Sequence, residues 1–178
     1  MIHVAKPLLG EEEKRAVLEV LTSGMLAQGR KVEEFEKRFA EFIGVKHAIA
    51  TSNGTTALHA ALLANGIRKG DEVITSPFTF IATANAIHYT GAEPVFLDVD
   101  LDTMGLSPKA LRDFLETKTT IKENKCWNRK SGKQIVACVP MHTCGFPCRI
   151  MEIKEICEEF HLMLVEDSAE SLGSFVNG

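Results

Sequence analysis

What the chain lacks narrows it first. With 20 Lys+Arg against 24 Asp+Glu and a formal net charge of −4, it has no basic field to draw it onto nucleic acid. No apolar stretch approaches the roughly 20 residues that span a bilayer. Met1-Ile2-His3-Val4-Ala5-Lys6-Pro7 lacks the long apolar segment of a secretory leader. The five cysteines, Cys126, Cys138, Cys144, Cys148 and Cys157, are an odd number, which without a leader argues against a disulfide framework. Cys144 and Cys148 find no second His or Cys pair to complete a zinc site, so they read as buried or loop thiols, and no metal is expected. There is no internal repeat and no low-complexity segment. A cytoplasmic protein that binds neither nucleic acid nor membrane is expected.

What is present is ordinary globular material, 45% hydrophobic and 25% charged. At 178 residues it is long enough to bury a core as one domain. Strand and helix signals alternate. Ala16, Val17, Val20 and Leu21 mark one face of a helix over 11–21, and Val32, Phe35, Phe39 and Phe42 mark another over 31–43, stopped by Gly44. The loop Ser23-Gly24-Met25-Leu26-Ala27-Gln28-Gly29 joins them. Strands are predicted at 47–51, 71–76, 94–99, 134–140 and 161–165, with helices at 55–64, 80–89 and 150–160 between them. Ser107-Pro108 has the hydroxyl cap and first-turn proline of a further helix start. Repeated strand–helix–strand units predict an α/β domain with a mainly parallel sheet flanked by helices. Residues 117–133 break the pattern. They carry Lys118, Lys122, Lys125, Arg129, Lys130 and Lys133 against one Glu123, and read as a solvated loop or as a surface arm for an anionic partner.

Three places can carry chemistry. Ser52-Asn53-Gly54-Thr55-Thr56 falls between a strand and a helix, where unsatisfied N–H groups and the helix dipole favour an anion and glycine allows close approach. A turn that merely caps its helix has the same residues. No Gly-Lys-Ser/Thr follows, so it is not a nucleotide-type phosphate loop. Asp167 ends an apolar run, where an ionised carboxylate is costly unless paired. A protonated pyridine nitrogen is one such partner, and a helix cap is the plainer use. Phe80, after another strand end, can stack on a ligand ring or pack in the core.

Their order is more specific than any one of them. The phosphate turn, then Thr75-Ser76-Pro77-Phe78-Thr79-Phe80-Ile81-Ala82-Thr83, then Gly91-Ala92-Glu93-Pro94-Val95, then Val165-Glu166-Asp167-Ser168-Ala169-Glu170, resembles the DegT/DnrJ/StrS family of pyridoxal-phosphate (PLP) dependent sugar-nucleotide aminotransferases. The stretch Val139-Pro140-Met141-His142-Thr143-Cys144-Gly145-Phe146-Pro147 is most similar to the LegC-type branch, which acts on UDP-linked keto sugars for nonulosonic-acid and surface-polysaccharide pathways.

The resemblance implies a fold type I large domain, aspartate-aminotransferase-like. It implies Gly54 and Thr55 on the cofactor phosphate, Phe80 on the ring and Asp167 on the pyridine nitrogen. Glu170 would stand where Gln or His often meets the ring hydroxyl. Met25 and Gln28 would line the sugar pocket. It further implies glutamate as amino donor, a nucleotide-sugar substrate and a homodimer. The family's Schiff-base lysine falls in a later segment, so residues 1–178 correspond to the N-terminal part of the large domain. Without that lysine and the small C-terminal domain, this chain alone is expected to be inactive, its 47–51 strand without neighbours. A PLP-dependent sugar dehydratase with histidine in place of lysine, and a non-catalytic binding protein, are the alternatives.

Overall fold

The computed structural model describes residues 6–176, in two compact units that meet in sequence at Ala50/Thr51. The first unit holds helices α1 (Glu11–Ser23) and α2 (Arg30–Ile43). Three glutamates fill the first turn of α1, where the helix dipole favours them, and Glu13 Oε2 accepts the Gly10 N–H at 2.6 Å. Gly24 and Gly44, with φ of 70° and 79°, end the two helices in the left-handed conformation that glycine adopts freely. Lys31 Nζ reaches Glu19 at 3.2 Å between the helices. The 47–51 segment, predicted as a strand, forms no ladder among the described residues. It runs as irregular chain, with the Ala50 N–H on Glu36 Oε1 at 2.8 Å.

The second unit is built on a sheet. Its strands are β1 (Glu72–Thr75), β2 (Glu93–Phe96), β3 (Thr119–Lys122), β4 (Lys125–Asn128), β5 (Gln134–Cys138) and β6 (Met163–Leu164). The order β2-β1-β5-β4-β3 has β6 also paired to β5. Strands β2, β1, β5 and β6 run parallel; helix α3 (Gly54–Ala64) leads into β1, and helices α4 (Ile81–Tyr89), α5 (Pro108–Lys118) and α6 (Ile150–Glu159) make the connections. Side chains alternate across a strand, so one sheet feeds two cores. Ile74, Ile135 and Cys138 join Leu111, Leu115 and Ile153 of α5 and α6. Val73, Ala137 and Val139 join Leu62 and Ile87 of α3 and α4. Emptying one such fully buried position, as in Leu62→Ala, costs about 2–5 kcal/mol. The predicted start of α5 is present: Ser107 Oγ accepts the Ala110 N–H, and Pro108 takes the first helical position.

The 117–133 stretch is neither a solvated loop nor a free arm. It folds as the β3–β4 antiparallel hairpin, turning at Glu123 and Asn124 with φ of 52° and 57°. Cys126 and Trp127 pair with the first two residues of β5, while β6 pairs with its last two. The lysines flank a strand pair whose Thr119, Cys126 and Asn128 are buried. Charge composition hid that two-residue period.

Candidate active site

In an open parallel sheet, ligands collect beyond the carboxyl ends of the strands. Here the segments leaving β1, β5 and β6 reach the same edge, where Met141 and Asp167 form an isolated parallel bridge. Gly54, Thr55, Phe80, Asp167 and Glu170, each singled out from the sequence, line one cavity of about 280 Å³ together with Met141.

The candidate anion cup is the start of α3. Asn53 is its cap, and its Oδ1 accepts the Thr56 N–H at 2.9 Å. Ala57 N–H bonds back to the Asn53 carbonyl at 3.1 Å, leaving the Gly54 and Thr55 N–H groups as the open donors. Gly54 is not left-handed, so the turn itself does not require glycine. A Cβ there would meet nothing within 4 Å and would project into free space.

Asp167 is 3% exposed. Its Oδ2 accepts the Thr83 hydroxyl at 2.6 Å, and its Oδ1 accepts the Ala169 N–H at 3.2 Å. Thr79 Oγ1 lies 2.7 Å from Thr83 Oγ1, extending the chain of hydroxyls. Among the described residues no cation pairs with this carboxylate; its partners are neutral. A buried carboxylate so placed suits a cationic ligand group. Helix capping does not describe it, because among the described residues no helix starts after it. Phe80 caps α4 and is 66% exposed at the cavity, not packed in the core. Glu170 Oε2 accepts the Cys144 N–H at 2.7 Å, which supports the left-handed Cys144 (φ 53°). An open donor pair, an exposed aromatic and a buried carboxylate fit the phosphate, ring and protonated nitrogen of PLP.

Sequence reasoning missed Thr83 and the pair His142–Glu166. Thr83 had a signal: it lies four residues beyond Thr79, one helical turn along. His142 Nε2 lies 3.0 Å from Glu166 Oε2, and its Nδ1 faces both the Cys148 N–H (3.2 Å) and the Cys148 thiol (3.5 Å). The Cys148 thiol first and the Glu166 carboxylate second favour the charged ring, raising its pKa to about 9 against burial, while the Cys148 N–H aimed at Nδ1 favours the neutral form. Met25 belongs to the first unit, where with Leu26, Ala27 and Gly29 it lines a separate cavity of about 530 Å³. Gln28 is not among the residues lining that cavity.

The mainly parallel sheet flanked by helices is the architecture of fold type I PLP-dependent aminotransferases. The chain belongs to the DegT/DnrJ/EryC1/StrS aminotransferase family, whose model matches residues 7–178. It is 42% identical over 166 residues to the spore coat polysaccharide biosynthesis protein SpsC of Bacillus subtilis, covering 93% of this chain and 39% of that protein. It is 40% identical to the GDP-perosamine synthase of Caulobacter vibrioides, covering 99% and 44%. The crystal structure of NtdA from Bacillus subtilis, with the cofactor PMP bound, superposes with a TM-score of 0.79 at 28% identity, covering 92% of this chain and 34% of that one. The chain thus spans less than half the length of the curated relatives it matches.

Proposed function

We propose that the whole protein containing this chain is a cytoplasmic PLP-dependent aminotransferase of the LegC-type branch. It transfers an amino group from glutamate to a nucleotide-linked keto sugar for surface-polysaccharide or nonulosonic-acid biosynthesis. The observation that carries the reading is the cavity shared by the open Gly54/Thr55 N–H pair and the buried Asp167. The relatives named above, one acting in polysaccharide biosynthesis and one a GDP-sugar enzyme by name, support the substrate class.

In this reading Gly54 and Thr55 hold the cofactor phosphate, and Phe80 lies on the ring. Asp167 keeps the proton on the pyridine nitrogen, its own charge oriented by Thr83 and Ala169. Bound there, the cofactor supplies the electron sink for the substrate carbon. Glu170 is held by Cys144 through one oxygen and offers the other to the ring hydroxyl, an approach that needs a shared proton to avoid repulsion. Met25 and Gln28 line the sugar pocket. No lysine lines the cavity among the described residues, and the residue that moves the substrate proton is assigned to a later segment of the whole protein. The working unit is a homodimer.

The test uses the full-length protein with glutamate and a panel of UDP- and GDP-linked keto sugars, following 2-oxoglutarate. Turnover that needs PLP, with a borohydride-reducible visible band, is expected. The 178-residue chain alone is expected to give none. A full-length protein that releases cofactor freely and never transaminates refutes the reading.

A further inference from the structure

Asp167 sits where the sheet has run out. The β5–β6 ladder ends at Cys138 and Leu164, and beyond it Asp167 is tied to its neighbour strand by main chain alone. Asp167 N–H donates to the Pro140 carbonyl at 2.9 Å, and the His142 N–H donates to the Asp167 carbonyl at 3.2 Å. With the Val165 N–H on the Cys138 carbonyl at 3.1 Å, these bonds place the Asp167 backbone, and Thr83 and Ala169 hold its carboxylate. The direction of that carboxylate matters to a fraction of an ångström, and so depends on how firmly the two segments are held together.

Side chains alternate here as on any extended chain, so Met141 and Asp167 face the cavity while His142 and Glu166 face away from it. Those two outward residues meet each other at 3.0 Å, His142 Nε2 to Glu166 Oε2. They bridge the same two segments that the Met141–Asp167 bridge joins on the cavity side. The far side of His142 is fixed as well, its Nδ1 taking the Cys148 N–H at 3.2 Å. Cys148 cannot drift, because Gly105 passes so close that a Cβ there would stand 2.6 Å from the Cys148 Cβ. Arg149, next in the chain, pairs with both Asp100 and Asp102 of the loop that ends at Gly105. The imidazole, buried with its side chain 5% exposed, is braced from one side and braces Glu166 on the other.

We propose that His142 and Glu166 are positioning residues, a side-chain clamp that sets the aim of Asp167 at the cofactor nitrogen. The proposal rests on the aminotransferase reading above. It predicts that loosening the clamp changes the electronic state of the bound cofactor and the chemical step before it changes sugar binding.

The experiment compares full-length Glu166→Ala, Glu166→Gln, His142→Phe and Asp167→Asn with the parent. Thr119→Ala serves as a distant control that removes a buried hydroxyl bonded to the Leu115 carbonyl in the hairpin. The readouts are kcat, KM for the keto sugar, and the visible absorption and circular dichroism of bound PLP. Glu166→Ala and His142→Phe are expected to lower kcat about 10-fold, the scale of a small misalignment, with KM nearly unchanged. Both should also weaken the cofactor's visible dichroism. Glu166→Gln, which can still accept from Nε2–H, should restore most of both. The control should lower thermal stability with the spectrum intact. If Glu166→Ala and His142→Phe lower stability like the control and leave kcat and the spectrum alone, the clamp proposal is overturned. If Asp167→Asn also leaves kcat and the spectrum unchanged, it is the aminotransferase reading that fails.

Discussion

Thr83 Oγ1 donates to Asp167 Oδ2 at 2.6 Å, joining two buried residues 84 positions apart. The first comes from the first turn of α4, the second from the segment leaving β6, so the bond ties a helix on one face of the sheet to its carboxyl edge. Thr83→Val keeps the shape and removes the donor. A buried charged acceptor left short of a partner costs about 1–3 kcal/mol, which a denaturant midpoint reads. Turnover of the full-length enzyme should fall with it, and Thr83→Ser should recover both. Unchanged stability in Thr83→Val would mean that water replaces the hydroxyl and that the bond orients nothing.

Asp167→Asn tests the carboxylate itself. The amide oxygen can still accept the Ala169 N–H while its NH2 donates to the Thr83 hydroxyl, which can turn to accept, so the local frame should survive. It carries no charge to hold a proton on the ring nitrogen, so transamination should nearly vanish while PLP stays bound. Near-normal turnover with a full complement of cofactor would assign Asp167 to structure alone.

How much of this was legible in the residues depends on what each signal was made of. Gly54, Thr55 and Asp167 stand out in the sequence because glycine, a hydroxyl and a carboxylate at strand ends are unusual, and the structure brings all three to one cavity. Glycine at position 54 suggests close approach to an anion, and its backbone is not in the left-handed region. Only the structure shows that a Cβ there would stand in open space, so neither backbone strain nor a close protein neighbour demands glycine. The hairpin was hidden because Glu123-Asn124 is not the Asn-Gly pair that announces such a turn, and because six basic residues masked the alternation of Thr119, Cys126 and Asn128. The 47–51 segment has strand composition but no ladder partner among the described residues, and pairing is not a local property. His142 and Glu166 are 24 positions apart, and only the parallel register of their segments brings them together.

The imidazole of His142 gives a pH prediction. Its pKa is raised in the folded protein from 6.5 to about 9 by the Cys148 thiol and the Glu166 carboxylate. A histidine raised on folding contributes stability that is complete below the unfolded pKa and is lost as pH rises through the folded one. The contribution should therefore be whole at pH 6 and gone above pH 9 or so. NMR titration of the His142 ring should place its midpoint above 6.5, and Glu166→Gln should move it down. A midpoint below 6.5 in the parent would show that the Cys148 N–H on Nδ1 outweighs both raising groups.

The cup supplies the last prediction. Gly54 and Thr55 carry the open N–H groups of α3, and the helix start is already capped by Asn53 without them. Gly54→Val puts a branched side chain into the space that an anion would use, at a position with no left-handed backbone to strain. A β-branched residue in place of glycine in the first turn does not threaten the helix, so circular dichroism should be unchanged. Phosphate and PLP affinity, measured by calorimetry on the full-length protein, should fall because the N–H pair can no longer be reached at hydrogen-bond distance. Gly54→Ala, with one methyl, should lie between valine and the parent. Equal affinity across the three would show that the start of α3 only caps its helix, and that the cofactor phosphate is held somewhere other than Gly54 and Thr55.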